Sequence, residues 1–310
     1  MENKLLLSSS PHIHCNNSTT KIMLDVIISL MPATVAGIII FGIGALWVIA
    51  VTVLSAVFSE YVFNLILKKK QTIGDLSAVV TGLLLALNLP ANVPLWQAAV
   101  GSVFAIIVVK SIFGGLGCNL VNPAITARVF MLVAFGNLAK AAFPVADAVS
   151  TATPLAQMKE GLSAPLLSDL FLGNIGGAIG ETCAVALLAG GIYLIARNVI
   201  TWHMPVSFIG TVFVFVLLLE GFDFNMALAQ ILSGGLFIGA FFMATDYVTS
   251  PSTPMGKMIF GLGAGIITVL IRYYGNYPEG VSFAILLMNI LNPYIESWTP
   301  RKLFGVGGRK

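Results

Sequence analysis

Apolar runs long enough to cross a lipid bilayer follow one another along almost the whole chain, and they decide what it can fold into. Read between breakers, they give ten candidate spans at roughly 22–41, 45–67, 74–89, 96–113, 123–137, 176–197, 204–219, 226–244, 256–272 and 279–296. A helix needs roughly 20 such residues to cross about 30 Å of hydrocarbon. With no water in that layer, each segment must satisfy its own backbone, so the spans are helices. The expected fold is therefore an all-α integral membrane protein. The composition agrees, with 57% apolar and 9% charged residues, where soluble domains carry about 25% charged. Runs 74–89 and 123–137 are short, and read as half-helices or strongly tilted segments, tolerated at membrane depth where protein or a wet cavity covers them.

Basic residues orient the spans. With the N-terminus inside, the cytoplasmic segments hold Lys4, Lys21, Lys68, Lys69, Lys70, Arg197, Lys257, Arg301, Lys302, Arg309 and Lys310, while the outer loops hold Lys140, Lys159 and Arg272. Both termini are then cytoplasmic, in a multi-pass protein of the cell membrane. The chain divides into a cytoplasmic segment 1–21, a five-span half 22–137, an outer loop 138–175, a second five-span half 176–296 and a cytoplasmic tail 297–310. An internal echo supports two halves. "TGLLLALNLPANVPLW" leads through a span to "GGLGCNLVNPAITARVF", and "IGAFFMATDYVTSPSTP" leads through a span to "YYGNYPEG", another span and "NILNPYI". With five spans on each side of the outer loop the halves run in opposite senses, the inverted-repeat pattern that puts broken helices and a binding site near the midplane.

Several chemistries are excluded or unsupported. A net charge of +3 is too small to imply nucleic acid. Cys15, Cys118 and Cys183 are scattered, which suits packing thiols rather than a disulfide framework or metal cluster. The first twenty residues have no apolar core and do not read as a cleavable signal. His12, His14 and His203 form no metal-binding pair, no nucleophile–base–acid set is visible, and "FGGLGCN" and "SGGLFIGAFF" follow no strand, so a nucleotide loop is not expected. Those glycines are expected to permit close helix approach.

Polar residues inside apolar runs need a reason. Asn122 can cap a helix whose first residue is Pro123, and a helix start at that depth offers free N–H groups to an anion or a polar ring. Arg128 lies further in. Its guanidinium costs a few kcal/mol there unless it snorkels, pairs with a neighbouring helix or meets a cofactor's anionic group. Asp25, Glu60, Glu181, Asp246 and Glu296 lie in or near apolar runs, and intramembrane carboxylates are candidates for cation paths. Asp25 and Glu296 fall near predicted cytoplasmic ends, where interface placement is expected. Asp246, in "MATDYVTSPSTP", reads as part of a broken helix or buried turn that could hold a small ion or a ligand ring.

One stretch remains, the hydroxyl-rich "DAVSTATPL" of residues 147–155 in the outer loop. With "SSSPHIHCNNSTTKIMLDVIISLMPA", "GDLSAVVTGLLLALNLP" and "NLVNPAITARVF" before it, in that order, the chain resembles, from about Ser8 to Leu303, the D subunits of Rnf electron-transport complexes. That family is close kin to the B subunits of sodium-pumping NADH:quinone reductases. The resemblance implies a membrane subunit of an ion-translocating ferredoxin:NAD oxidoreductase, with Na⁺ or H⁺ as coupling ion and with NAD and iron–sulfur chemistry on partner subunits. It also implies FMN joined by a phosphoester to the last threonine of an Asp-x-x-(Ser/Thr)-Gly-Ala-Thr-like motif, installed by a flavin transferase from FAD. Carried onto this chain, Asp147 and Ser150 match early positions of the motif, Thr151 stands where the family often has glycine, and Thr153 is the acceptor. A second, noncovalent flavin such as riboflavin is implied by the related quinone-reductase subunit. The short region before residue 22 favours the Rnf branch. The acceptor must reach a foreign enzyme's pocket, which suits an exposed loop with small neighbours. The competing classes are a transporter or channel without redox function, and a structural membrane anchor.

Overall fold

The structure, a computed structural model, describes residues 18–136, 153–160, 165–173, 175–275, 277 and 279–301. Its long elements are all helices. The first half holds α1 (Thr19–Phe41), α2 (Ile43–Ile66), α3 (Ser77–Leu87), α4 (Leu95–Ser111) and α5 (Pro123–Ala134). Two short helices follow, α6 (Pro154–Lys159) and α7 (Leu167–Leu172). The second half holds α8 (Ala184–Ala196), α9 (His203–Leu219), α10 (Phe224–Leu232), α11 (Leu236–Met243), α12 (Pro254–Tyr274) and α13 (Val281–Trp298). Among the described residues, α1, α2 and α12 are each long and apolar enough to cross a membrane, and α10 with α11 would pass together but for a 65° bend between them. Five further apolar helices are shorter.

The sequence dictates where several of these helices start. Asn122, Thr153 and Thr253 stand in extended backbone, each followed by proline, and each side chain accepts hydrogen bonds from the first turn of α5, α6 and α12 respectively. Proline costs nothing there because its missing N–H would have had no helical partner. The outward faces then stay apolar. Ile39, Ile43, Leu54, Phe58 and Leu218 are all more than half exposed, as lipid contact requires and water would not reward.

Two expectations change in detail. The span expected at 176–197 begins as helix at Ala184. Residues 175–183 instead lie against the turn after α3, with Ile179 N–H donating to Leu89 O (3.0 Å) and Gly180 N–H to Leu87 O (2.7 Å). A side chain at 180 would strike Leu87, its hypothetical Cβ falling 2.6 Å from the Leu87 Cβ, so glycine permits the approach. Likewise Gly114, Gly115 and Gly117 all have positive φ and build the turn after α4 instead of a helix seam. The expected short segments do appear as α3 and α5, of 11 and 12 residues.

Contacts sort the helix ends into two faces. On one, Thr20 of α1 donates to Gly74 O before α3, Arg197 after α8 pairs with Asp25 of α1, Lys257 of α12 reaches Thr201, and Arg301 after α13 reaches Ser252. At the other end of α12, Arg272 and Tyr273 meet Gln230 of α10, Glu220 and the α6 segment. Helix α12 has 21 residues and so separates these faces by about 30 Å.

Candidate functional site

Where α1, α3, α5, α8 and α11 converge, the halves leave a cleft of about 760 Å³ including its open mouth. Asn122 and Asp246 both line it, beside Lys110, Asn119, Phe241 and Phe242. Asn122 does two jobs. Its side-chain oxygen accepts from Ala124 N–H (3.0 Å) and Ile125 N–H (3.3 Å), and its amide nitrogen donates to Met243 O (3.3 Å) at the end of α11. Asp246 follows α11 in a turn, where the Thr249 hydroxyl donates to its carboxylate at 3.2 Å. The expected break there is real, and its physical form is a run of wide i to i−5 turns at 239–243 ending in Ala244 N–H to Gly239 O (2.7 Å).

Arg128 takes the ion-pair option. It pairs with Glu279 at 2.8 Å, just before α13, and also donates to Asn88 O after α3. Both groups are largely buried, with 6% and 19% side-chain exposure, so the charge is neutralised across the two halves of the chain. Asp25 accepts from Tyr193 (3.1 Å) and from Arg197 (3.2 and 3.3 Å) near the face carrying the α1 start. Outside α8, the Arg197 guanidinium is pushed further above its ordinary range by this hydrogen bond and the Asp25 charge.

Thr153 stands apart from the cleft. It is half-buried, and its hydroxyl oxygen accepts from Ala156 N–H at 3.2 Å, capping α6. Helix α6 packs on the last turn of α12, and Lys159 donates to Gly275 O. Thr153 therefore belongs to the face opposite Arg197, Lys257 and Arg301. Asp147, Ser150 and Thr151 lie outside the described residues.

Sequence reading passed over Lys110. It is 2% exposed, on a π-helical stretch Phe104–Ser111 of α4, and its ammonium meets Glu60 Oε1 (3.1 Å), Glu60 Oε2 (3.0 Å) and Ser77 Oγ (2.6 Å). Thr72 adds a hydroxyl to Glu60 at 2.5 Å. Arg272, counted among outer-loop residues by its position, is instead 4% exposed in the last turn of α12. It donates to Gln230 O (2.6 Å), Gln230 Oε1 (3.2 Å) and Ser233 O (3.4 Å). Among the described residues no group of three or more His, Cys, Asp or Glu is placed to hold a metal ion.

Comparison with known proteins fits this arrangement. The chain is 49% identical, over 98% of its length and 96% of the relative's, to the D subunit of the Na⁺-translocating ferredoxin:NAD⁺ oxidoreductase complex of Acetobacterium woodii. It is 43% identical to the D subunit of the proton-translocating ferredoxin:NAD⁺ oxidoreductase complex of Clostridium ljungdahlii, over 98% and 97%. It is 34% identical to the D subunit of the ion-translocating oxidoreductase complex of Actinobacillus succinogenes, over 97% and 98%. The sequence profile of the NQR2, RnfD, RnfE family matches residues 6–305, and the chain belongs to that family.

Proposed function

We propose that this chain is the D-type membrane subunit of an ion-translocating ferredoxin:NAD⁺ oxidoreductase, carrying FMN through a phosphoester on Thr153. The body would span the membrane about ten times, with the basic face cytoplasmic and the α6 face outside. The observation that carries the reading is the setting of Thr153: a helix-capping hydroxyl on the face away from Arg197, Lys257 and Arg301, within the hydroxyl-rich stretch 147–155. Esterification is compatible with that setting, because an ester oxygen keeps a lone pair for the Ala156 N–H. Bound FMN supplies the redox chemistry. The chain's own residues supply place: Thr153 fixes the attachment point, and Leu155 and Met158, both buried, anchor its helix against the body.

Other subunits of the complex bring NAD and iron–sulfur chemistry, and a flavin transferase matures this one. The central cleft has the chemistry expected for a second, noncovalent flavin such as riboflavin: aromatic side chains at Phe241 and Phe242 and polar ring partners at Asn119 and Asn122. The two ferredoxin-linked relatives differ in coupling ion, one Na⁺ and one proton, so either suits this chain.

The test is direct. The chain coexpressed with the transferase should give a fluorescent band on a denaturing gel, dark in Thr153→Val and bright in Thr151→Val. A dark wild-type band made with an active transferase refutes the flavin reading and leaves the transporter reading standing.

A further inference from the structure

Glu181 lies where the two halves meet. The backbone before it is tied to the turn after α3 by the Ile179 and Gly180 bonds already described. Across from it is the Gly234–Gly235 turn that opens α11, close enough that a Cβ at 235 would stand 2.8 Å from Glu181 Oε1. Glu181 is 4% exposed, and among the described residues its Oε2 meets no hydrogen-bond partner. Glu279, Arg128 and Arg272 are the charged groups that act on it. Arg128 gives its bonds to Glu279 and Asn88 O, and Arg272 gives its two terminal nitrogens to neutral oxygens of Gln230 and Ser233, its Nε–H meeting no partner among the described residues. None of these bonds goes to Glu181.

A buried carboxyl oxygen without a donor is expensive, and a neighbouring carboxylate raises that cost further while both are charged. Half-helix ends at membrane depth are where such charges are held in transport proteins. We propose that Glu181 and Glu279 form a binding site for one small monovalent cation, a proton or a sodium ion, between the end of α3 and the start of α11. Arg128 holds Glu279 in place. Arg272 adds a positive field without occupying the site, which keeps binding weak enough for the cation to leave. The site rests on the ion-translocating function proposed above, and supplies that function with a station between the central cleft and the α6 face.

The test uses the whole complex in liposomes, driven by reduced ferredoxin, with sodium or protons as the probe. Co-purification of the other subunits with the tagged variant, in wild-type proportion, reports that each variant assembles. In a sodium-coupled complex, Glu181→Gln should raise the half-saturating Na⁺ concentration by about tenfold or more, since a charged ligand is lost. In a proton-coupled complex it should cut lumen acidification to a similar degree. Glu181→Asp should restore part of either effect. Gly235→Ala, which keeps both carboxylates but crowds Oε1, should shift the same readout, and it decides the matter if Glu181→Gln fails to assemble. A pumping wild type with neither readout moved by Glu181→Gln, or by Gly235→Ala in its place, overturns the site alone. A wild type that moves neither ion overturns the translocating function with it.

Discussion

Replacing Lys110 with methionine keeps the length and apolar stem of the side chain but strands the Glu60 carboxylate in a site where the two partners are 2% and 4% exposed. Removing one member of a buried ion pair typically costs about 3–5 kcal/mol, because the remaining charge stays desolvated. Glu60 keeps the Thr72 hydroxyl at 2.5 Å, so the lower end applies, about 3 kcal/mol. Glu60→Leu leaves the ammonium with the Ser77 hydroxyl alone and should cost at least as much. The double variant removes both charges, so it should fall far short of the roughly 6 kcal/mol sum, since an apolar pair of similar volume is often neutral or stabilising. Unfolding of the detergent-purified chain in a mixed-micelle denaturant series, followed by tryptophan fluorescence, gives all three values. If the single effects add to within about 0.5 kcal/mol in the double variant, the pair is not coupled and the reasoning fails.

Arg197→Gln is the contrasting case: its side chain is 57% exposed in the pair with Asp25, so the same unfolding series should register no resolvable change. Asn122→Ala removes the α5 cap and the tie to Met243 O, and should cost about 1–2 kcal/mol by that measurement. Cys118 is exposed on the turn between α4 and α5, so with the basic face cytoplasmic a membrane-impermeant maleimide should label it in inverted vesicles and not in intact cells; labelling from outside would reverse the assigned orientation.

What the sequence made legible was local. The Asn122-Pro123 start, the short α3 and α5 and the break at Asp246 all follow from residues within a turn or two of each other, where capping, chain length and proline decide the outcome. Partners remote in the chain were not legible. Arg128 and Glu279 are separated by 151 positions, and nothing in either run of sequence names the other. Lys110 and Arg272 both occupy final turns of apolar helices, and hydropathy cannot tell whether a basic residue there points to headgroups or inward. The non-helical chain at 175–183 carried a local signal in Gly176, Gly177, Gly180, Glu181 and Thr182, but the hydrogen bonds to Leu87 and Leu89 that hold it away from helix are remote in the chain.

The π-helical stretch that carries Lys110 bonds each N–H one residue further back than usual, as in Ile112 N–H to Ile107 O (3.1 Å). It therefore stores one surplus residue within a continuous rod. Deleting one residue between Phe104 and Val109 would let ordinary winding resume with the ammonium within roughly 10° of its present direction, because about six wide steps and five ordinary ones end at nearly the same angle. The widened coil thus takes up an extra residue without re-aiming the buried charge, whereas the same deletion in the ordinary winding of Leu95–Val103 would swing Lys110 about 100° away from Glu60.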